Sequence, residues 1–183
     1  SLAPLVLEAE DWTHGVFIGA AMASETTAAA TGKVGVVRRD PMAMKPFCGY
    51  HFGDYWAHWL NVGSKLKQPP KIFQVNWFRR DADGNFIWPG FGQNMRVLEW
   101  IMQRCTGEAA ARETPVGRLP QPGAISTDGL EHDPDLETLL SIDSREWLGE
   151  LGEIEKHLEN FAPRVPEALI ERVHAMRDRL DES

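Results

Sequence analysis

Short apolar runs in the first half of the chain are separated by polar or glycine-rich segments, a pattern typical of a sheet. The runs at 5–9 and 16–22 predict buried strands or sheet edges. IFQVNWF at 72–78 is rich in β-branched and aromatic residues and predicts another strand. NFIW at 85–88 predicts the return strand of a hairpin, because Asp-Gly at 83–84 can supply the left-handed turn position.

Apolar residues three and four positions apart predict four helices. Asn94 and Asp143 are the expected N-cap residues of two of them, and Pro166 begins the last. The last two helices are expected to form an antiparallel tail. The core-facing residues expected in the four helices are, in chain order, Tyr55, Trp59 and Val62; Leu98, Ile101, Met102 and Cys105; Trp147, Leu151, Ile154 and Leu158; and Leu169, Val173, Met176 and Leu180.

Two further segments are predicted to be connections. SETTAAATGKVG at 24–35 consists mainly of small and hydroxylated residues, which favours a mobile loop, although its alanines also allow a short helix. It does not fit the phosphate-loop pattern GxxxxGK[ST], because Thr27 and Val34 occupy the positions that require glycine and a hydroxyl residue. Residues 106–135 carry four prolines and predict a long surface connection that ends in a short helix at Asp133-Pro134.

The composition narrows the class of protein. The 183 residues carry a formal net charge of -8, which argues against general nucleic-acid binding, since phosphates are bound by Lys and Arg. Cys48 and Cys105 lack zinc-site spacing and indicate reduced thiols in a cytoplasmic protein. No apolar run reaches the roughly 18–20 residues of a membrane span. The chain begins within an apolar stretch and has no basic signal region, so we expect a fragment of a larger protein.

His51, Asp54 and His58 share one face of the helix predicted within 47–62, which raises the question of a metal site. Two histidines two helical turns apart are about 10 Å apart along the axis, too far to bind one ion. A metal site needs three or four converging ligands. We therefore expect ordinary core or surface histidines here.

The segment Asn76 to Asn94 has aromatic residues at five of its 19 positions. The predicted turn brings Phe78 near Phe86, and Phe91 follows between two glycines. Such rings can form a slot for a flat base, and stacking contributes roughly 1–3 kcal/mol per base. Asn94 offers a donor and an acceptor for the base edge. The alternative is a hydrophobic hairpin packed against a neighbouring helix, with Asn94 only capping.

Three segments in the same order give the chain a resemblance to GTP-dependent phosphoenolpyruvate carboxykinase. The likeness runs from about Pro4 to about Arg104 and continues more weakly through TPVG at 114–117 to the C-terminus. The segments are HGVFIGAAMASETTAAATGKVG, DPMAMKPFCGYHFGDYWAHW and VNWFRRDADGNFIWPGFGQNMRVLEW.

The resemblance implies a mixed α/β fold, the C-terminal nucleotide-binding lobe of that enzyme. Residues 1–105 would form part of this lobe, with a mobile lid at about 24–35 and a guanine pocket at 76–94. Residues 106–183 would form a surface connection and the C-terminal helices of the same lobe. The residues implied for the lid are Ser24, Glu25, Thr26, Thr27, Ala28, Ala29, Ala30, Thr31, Gly32 and Lys33.

The implied reaction belongs to gluconeogenesis: oxaloacetate and GTP give phosphoenolpyruvate, carbon dioxide and GDP, with Mn²⁺ and a second divalent ion, usually Mg²⁺. The residues implied for guanine recognition are Phe78, Phe86, Phe91, Gly92, Gln93 and Asn94. Gln93 stands where the family usually has Glu, His51 where it has Asn, and Asp54 where it often has Lys. If position 93 acts through its backbone, the change is harmless; if the carboxylate matters, nucleotide affinity suffers.

The resemblance places the family's phosphate loop, metal ligands, reactive cysteine and oxaloacetate-binding arginines before residue 1. No catalytic or metal-binding residue is therefore expected in this chain, which would need the N-terminal part of the same enzyme as its partner. Two other hypotheses remain open: a stand-alone guanine-nucleotide-binding module, and a non-functional remnant that associates through exposed apolar surfaces.

Overall fold

The structure, a computed structural model, describes residues 2–25 and 37–183. Within these ranges six strands and six α-helices form a mixed α/β fold, as expected. The strands are β1 (Val6–Glu8), β2 (Ala23–Glu25), β3 (Val37–Arg39), β4 (Phe73–Val75), β5 (Ala111–Thr114) and β6 (Gly117–Pro120). The helices are α1 (Trp12–Ala21), α2 (Phe52–Lys65), α3 (Asn94–Thr106), α4 (Leu136–Leu139), α5 (Ser144–Glu159) and α6 (Glu167–Asp181), with 3₁₀ turns at Pro41–Ala43 and Phe91–Gln93.

Four strands form an antiparallel sheet in the order β4-β1-β6-β5. The central strand β1 pairs Leu7 with Gln74 of β4, and Glu8 with Arg118 of β6. β2 and β3 form a separate antiparallel pair, with Glu25 opposite Val37. Of the described helices, none combines the length and apolarity needed to cross a bilayer.

Two hydrophobic clusters lie against β1. Leu7 belongs to the larger cluster, which packs α1, α2, α5 and α6 together. Val6 belongs to the smaller cluster, which joins Trp88 to α3 and α4. Successive side chains of a strand point to opposite faces, so β1 contributes to both clusters at once.

The prediction of a strand at 16–22 was wrong, because most of these residues lie in helix α1. Val16, Phe17 and Ala20 are buried, and His14 on the same helix is also fully buried. A helix enclosed on most sides has no polar face, so its sequence cannot be distinguished from a buried strand by periodicity. A better indication of a helix than periodicity was Asp11. It is the N-cap residue of α1, and its side chain accepts a hydrogen bond from His14 N (2.7 Å).

The buried stripes of α2 and α3 were predicted only in part, because Tyr55, Trp59 and Ile101 pack against the clusters without being fully buried. In α2 the buried residues are Phe52 and Trp56, with Tyr55 and Trp59 only partly buried. The helix starts at Phe52 because His51 Nδ1 accepts a hydrogen bond from Gly53 N (3.0 Å).

In α3 the buried residues are Val97 and Trp100, one position before the predicted stripe. Leu98 is 40% exposed and Met102 63% exposed, and Cys105 is also exposed. The last position of the true stripe is Arg104, a charged residue that apolar periodicity cannot find.

Residues 106–135 are not a plain surface connection, because they contain strands β5 and β6. Val116 and Leu119 have no exposed surface, and β6 lies next to β1 inside the sheet. The prolines concealed this hairpin: Pro115 lies in its turn and Pro120 at the end of β6. The short helix α4 begins after Asp135 rather than at Asp133.

The helical tail agrees with prediction. Asp143 is the N-cap of α5, and its Oδ1 accepts a hydrogen bond from Glu146 N (2.9 Å). Pro166 is the N-cap residue of α6. All the core-facing residues predicted for these two helices are buried in the larger cluster: Trp147, Leu151, Ile154, Leu158, Leu169, Val173, Met176 and Leu180.

A buried carboxylate fixes the end of β1. Glu8 has no exposed surface and is surrounded by Lys71, Arg104 and Arg118. Burial by itself raises the pKa of the Glu8 carboxyl, but hydrogen bonds from Arg104 and Lys71 outweigh it, so the pKa lies below its ordinary value. The ion cluster thereby ties α3 and β6 to the centre of the sheet.

Candidate functional site

The aromatic segment begins at Asn76, a buried residue directly after β4. Its backbone N donates to Leu5 O (2.9 Å), and its Nδ2 donates to Ala3 O (2.6 Å). Its Oδ1 accepts a hydrogen bond from Phe78 N (3.1 Å). Asn76 thus anchors the backbone of Phe78 to the chain beside β1.

The predicted return strand at 85–88 is absent, and the two arms share only the single antiparallel bridge between Arg80 and Phe86. Asp81 holds the turn, because its Oδ1 accepts hydrogen bonds from Asp83 N (3.0 Å) and Asn85 N (2.8 Å). Gly84 has φ +85°, as the turn prediction requires. The result is a tight side-chain-supported turn rather than a regular hairpin.

The three candidate phenylalanines all lie at the surface. The rings of Phe78 and Phe86 form a pair with centroids 6.0 Å apart and planes inclined at 61°. Phe78 is 63% exposed, Phe86 51% and Phe91 94%, so none packs into a core as the simple hairpin hypothesis requires. Phe91 stands outside the pair. A base that stacks on both paired rings requires a side-chain rotation from this arrangement.

A cation already lies on one ring. The guanidinium carbon of Arg80 is 4.0 Å from the centroid of Phe86, a cation–π contact. Its NH1 also donates to Gly84 O (2.6 Å), which holds the side chain across the turn. One face of Phe86 is therefore covered, and a base would stack on the other or displace Arg80.

Trp88 lies between Phe86 and Phe91 in the sequence and is only 1% exposed. Its Nε1 donates to Asn94 Oδ1 (2.8 Å). The N-cap prediction for Asn94 was wrong: Gln93 occupies that position without a side-chain cap, because a 3₁₀ turn runs directly into the helix. The backbone N–H of Asn94 donates to Phe91 O, but no hydrogen bond joins its side-chain Nδ2 to a described residue, so the two N–H groups of Nδ2 remain available.

The side chain of Gln93 is engaged within the protein. Its Oε1 accepts a hydrogen bond from Arg96 Nε (2.7 Å). Arg96 in turn donates to the carbonyls of Ser126 and Asp128, both at 2.9 Å. A glutamate at position 93 would make this contact an ion pair, whereas glutamine keeps its geometry without the charge.

Three supporting residues were missed by sequence reasoning: Asn76, Trp88 and Arg96. Arg96 could have been found, since it follows Gln93 by one helical turn. Asn76 and Trp88 carry no local signal, because their partners are set by tertiary structure.

Gly90 introduces the segment with φ +99° and ψ -158°, a conformation essentially restricted to glycine. Gly90→Ala is expected to destabilise the fold by about 1–3 kcal/mol in urea unfolding, through backbone strain alone. Both Gly90 and Gly92 have open space where a Cβ would stand, but no positive φ occurs at Gly92. Gly92→Ala is thus the matched control and should change stability by less than about 0.5 kcal/mol. Equal effects at the two positions would show that strain at Gly90 is not the cause.

The predicted lid lies mostly outside the described residues. Ser24 and Glu25, predicted as loop, belong to β2, so this part of the prediction was wrong. Ser24 Oγ donates to Asp40 Oδ2 (3.4 Å). Thr26, Thr27, Ala28, Ala29, Ala30, Thr31, Gly32 and Lys33 fall in the segment 26–36 that the structure does not describe.

The histidines of α2 do not converge with other ligands. His51 caps the helix, and Asp54 Oδ2 accepts from Arg164 NH1 (2.9 Å). Across residues 2–25 and 37–183, no three His, Cys, Asp or Glu side chains are grouped closely enough to hold a metal ion. Cys48 and Cys105 are both free thiols.

Comparison with known proteins identifies the family. Residues 1–179 match the family described as "Phosphoenolpyruvate carboxykinase C-terminal P-loop domain". Among curated relatives, "Phosphoenolpyruvate carboxykinase [GTP]" of Paenarthrobacter aurescens (strain TC1) is 50% identical over 180 residues, 97% of this chain. The protein of the same name from Thermoplasma volcanium is 49% identical over 181 residues, 98% of this chain. In both cases the match spans 30% of the relative's length. The chain belongs to the GTP-dependent phosphoenolpyruvate carboxykinase family.

Proposed function

We propose that this chain supplies the guanine-binding part of an enzyme that converts oxaloacetate and GTP to phosphoenolpyruvate, carbon dioxide and GDP. The observation that carries the proposal is the exposed ring pair of Phe78 and Phe86, held by buried supports, in a chain about half identical to enzymes of that name. A contiguous exposed apolar patch, unlike a single exposed side chain, is typical of a ligand or partner site.

In this proposal Phe78, Phe86 and Phe91 stack on the purine. Asn94 supplies the selection of guanine. Because Trp88 occupies Oδ1 of Asn94, the side chain presents N–H donors to a ligand. Guanine carries the acceptors O6 and N7 on its exposed edge, whereas adenine presents an N6 donor at the corresponding position. A donor at this place therefore favours guanine over adenine.

The reaction that we propose for the whole enzyme also uses Mn²⁺ and a second divalent ion such as Mg²⁺. The described residues do not fit such ions, since they gather no set of three ligands. We therefore assign no step at a metal to this chain. Its own contribution is to bind and orient the base, with residues 26–33, which follow β2 in the sequence, as a lid that excludes water.

We propose the division into residues 1–105, with lid and base pocket, and residues 106–183, which complete the same lobe. The strands β5 and β6 support a single lobe, because they join the sheet that β1 and β4 begin. We also propose a cytoplasmic location, with which the two free thiols are compatible. The remaining partner is the N-terminal part of the same enzyme.

Titration of GDP and of ADP into the chain, followed by calorimetry, tests the proposal. GDP is expected to bind more tightly than ADP. Phe91→Ala should weaken GDP binding by roughly 1–3 kcal/mol, the value of one stacking contact. Phe47→Ala is the matched control, because Phe47 is also exposed (75%) but lies outside the aromatic segment.

Two outcomes would contradict the proposal: equal affinity for GDP and ADP, or equal losses in the two phenylalanine variants. The same preparation separates the stand-alone hypotheses. Incubation with oxaloacetate, GTP and Mn²⁺ is expected to give no phosphoenolpyruvate, and turnover by the chain alone would mean that it holds its own reacting centre. We expect the chain to bind GDP but to form no phosphoenolpyruvate. A non-functional remnant would neither bind GDP nor form phosphoenolpyruvate.

A further inference from the structure

A second concave site lies between strand β3 and helix α5. It is a cleft of about 530 Å³, within the size range of small-molecule sites. Helix α5, which forms one wall, packs on the larger hydrophobic cluster, whereas the aromatic segment packs through Trp88 on the smaller one. The cleft is therefore separate from the proposed guanine site, and nothing said about it depends on that proposal.

The charges that line the cleft are predominantly positive. Four cations, Arg38, Arg39, Lys45 and Lys156, face two carboxylates, Glu150 and Glu153. Four positive charges less two negative ones leave a local excess of two positive charges in a chain whose net charge is -8. Such local reversal within a concave surface concentrates anions.

Both carboxylates of the cleft already form ion pairs within the protein. Glu150 Oε1 pairs with Arg39 NH1 (2.7 Å), and Glu153 Oε1 pairs with Lys156 Nζ (2.7 Å). Within the described part of the chain, neither Arg38 nor Lys45 has a carboxylate within ion-pair distance. Arg38 Nε is buried and has no hydrogen-bond acceptor, which leaves this guanidinium incompletely satisfied by the protein. Arg38 and Lys45 therefore supply the uncompensated charge.

His157 lines the cleft, and the pKa of its imidazole is affected by the positive charges there. It is 9% exposed, and its Nε2 donates to Ala20 O (3.1 Å). Burial lowers the pKa of the imidazole, the bond with Ala20 opposes this, and the charges of Arg39 and Lys45 lower it further. The lowered pKa of His157 agrees with a positive field from Arg39 and Lys45 at this wall of the cleft.

We propose that this cleft binds a small phosphate-class oxyanion, held principally by Arg38 and Lys45. A guanidinium can donate two parallel hydrogen bonds to a phosphate, and a lysine adds a point charge. The paired carboxylates at the rim disfavour an extended polyanion, because further phosphates would meet negative charge. Free phosphate and the phosphate of a small ester share this chemistry.

Phosphorus NMR of inorganic phosphate and, separately, of glycerol 3-phosphate, titrated with the chain at constant ionic strength, tests the site. Constant ionic strength matters because exposed charges are screened by salt. Saturable binding is expected, and Arg38→Gln and Lys45→Gln should each weaken it about tenfold, as for the loss of a charged hydrogen bond. The control is Lys67→Gln, an exposed lysine in the loop after α2, which should leave binding unchanged.

Tighter binding of the ester than of phosphate would identify an esterified ligand, and equal binding would identify the free ion; either result supports the site. Absence of saturable binding of both compounds would overturn the proposal. A similar loss in the Lys67 variant would also overturn it, because the effect would then be a property of the whole surface. Far-ultraviolet circular dichroism of each variant verifies that the fold is intact.

Discussion

Replacing Glu8 by glutamine is expected to destabilise the fold by about 3–5 kcal/mol, the usual cost of breaking a buried ion pair from one side. Glu8 is fully buried at the end of β1, and its carboxylate is the common partner of Lys71, Arg104 and Arg118. Glutamine keeps the shape but leaves Lys71 and Arg104 without the counter-charge of Glu8, whereas Arg118 keeps its ion pair with Glu113 (2.7 Å). Urea unfolding followed by tryptophan fluorescence measures the loss.

Glu153→Gln is the matched control, because Glu153 pairs with Lys156 at the exposed surface and should contribute less than about 1 kcal/mol. A pH series adds a second criterion. The pKa of Glu8 lies below its ordinary value of 4.5 in the folded protein. Its stabilisation is therefore present above the unfolded-state pKa and is lost as the pH falls through the folded one. The difference between the parent and the glutamine variant should shrink below pH 4.5; a difference that is constant with pH would argue against the charge as its cause.

Trp88→Ala is expected to remove about 3–5 kcal/mol of stability and to abolish guanine binding together with it. The indole is almost completely buried, and it belongs to the same hydrophobic cluster as Val97 and Trp100 of α3. Its loss leaves a large cavity in the smaller hydrophobic cluster and removes the hydrogen bond that holds the Asn94 side chain. Unfolding in urea and GDP calorimetry on the same preparation measure both effects.

Trp88→Phe separates packing from the hydrogen bond to Asn94. Phenylalanine fills most of the space but cannot donate to Asn94 Oδ1. We expect a smaller loss of stability, about 1–2 kcal/mol, with weakened discrimination between GDP and ADP because the Asn94 amide is no longer oriented. Unchanged discrimination in this variant would mean that Asn94 does not select the base.

The helical tail could be predicted from sequence because its signals are local. Asp143 caps α5 three residues before Glu146, and each apolar stripe repeats at the helical period. The same reasoning failed for α1, where a helix enclosed by neighbours has no polar side. It failed for α3 because Arg104 completes the inward face, and only the distant Glu8 explains a charge there.

In the candidate site, too, the features with a local sequence signal were predicted, and those that depend on tertiary contacts were not. The positions of Phe78, Phe86 and Phe91 could be singled out, because rings flanked by glycines do not suit a core strand. The orientation of the rings and the cation–π contact of Arg80 with Phe86 could not be predicted from the sequence, because both depend on one bridge across the turn. Asn76 and Trp88 contact segments that are distant in the sequence: Asn76 bonds to Ala3, and Trp88 shares a cluster with Leu5. A single sequence does not reveal such contacts.

The position of β1 between the two hydrophobic clusters also determines how the molecule comes apart. Val6 and Leu7 face opposite sides, and the strand is only three residues long. Neither half can detach without breaking the hydrogen bonds of this strand, so we expect the helical tail and the aromatic segment to unfold as one cooperative unit.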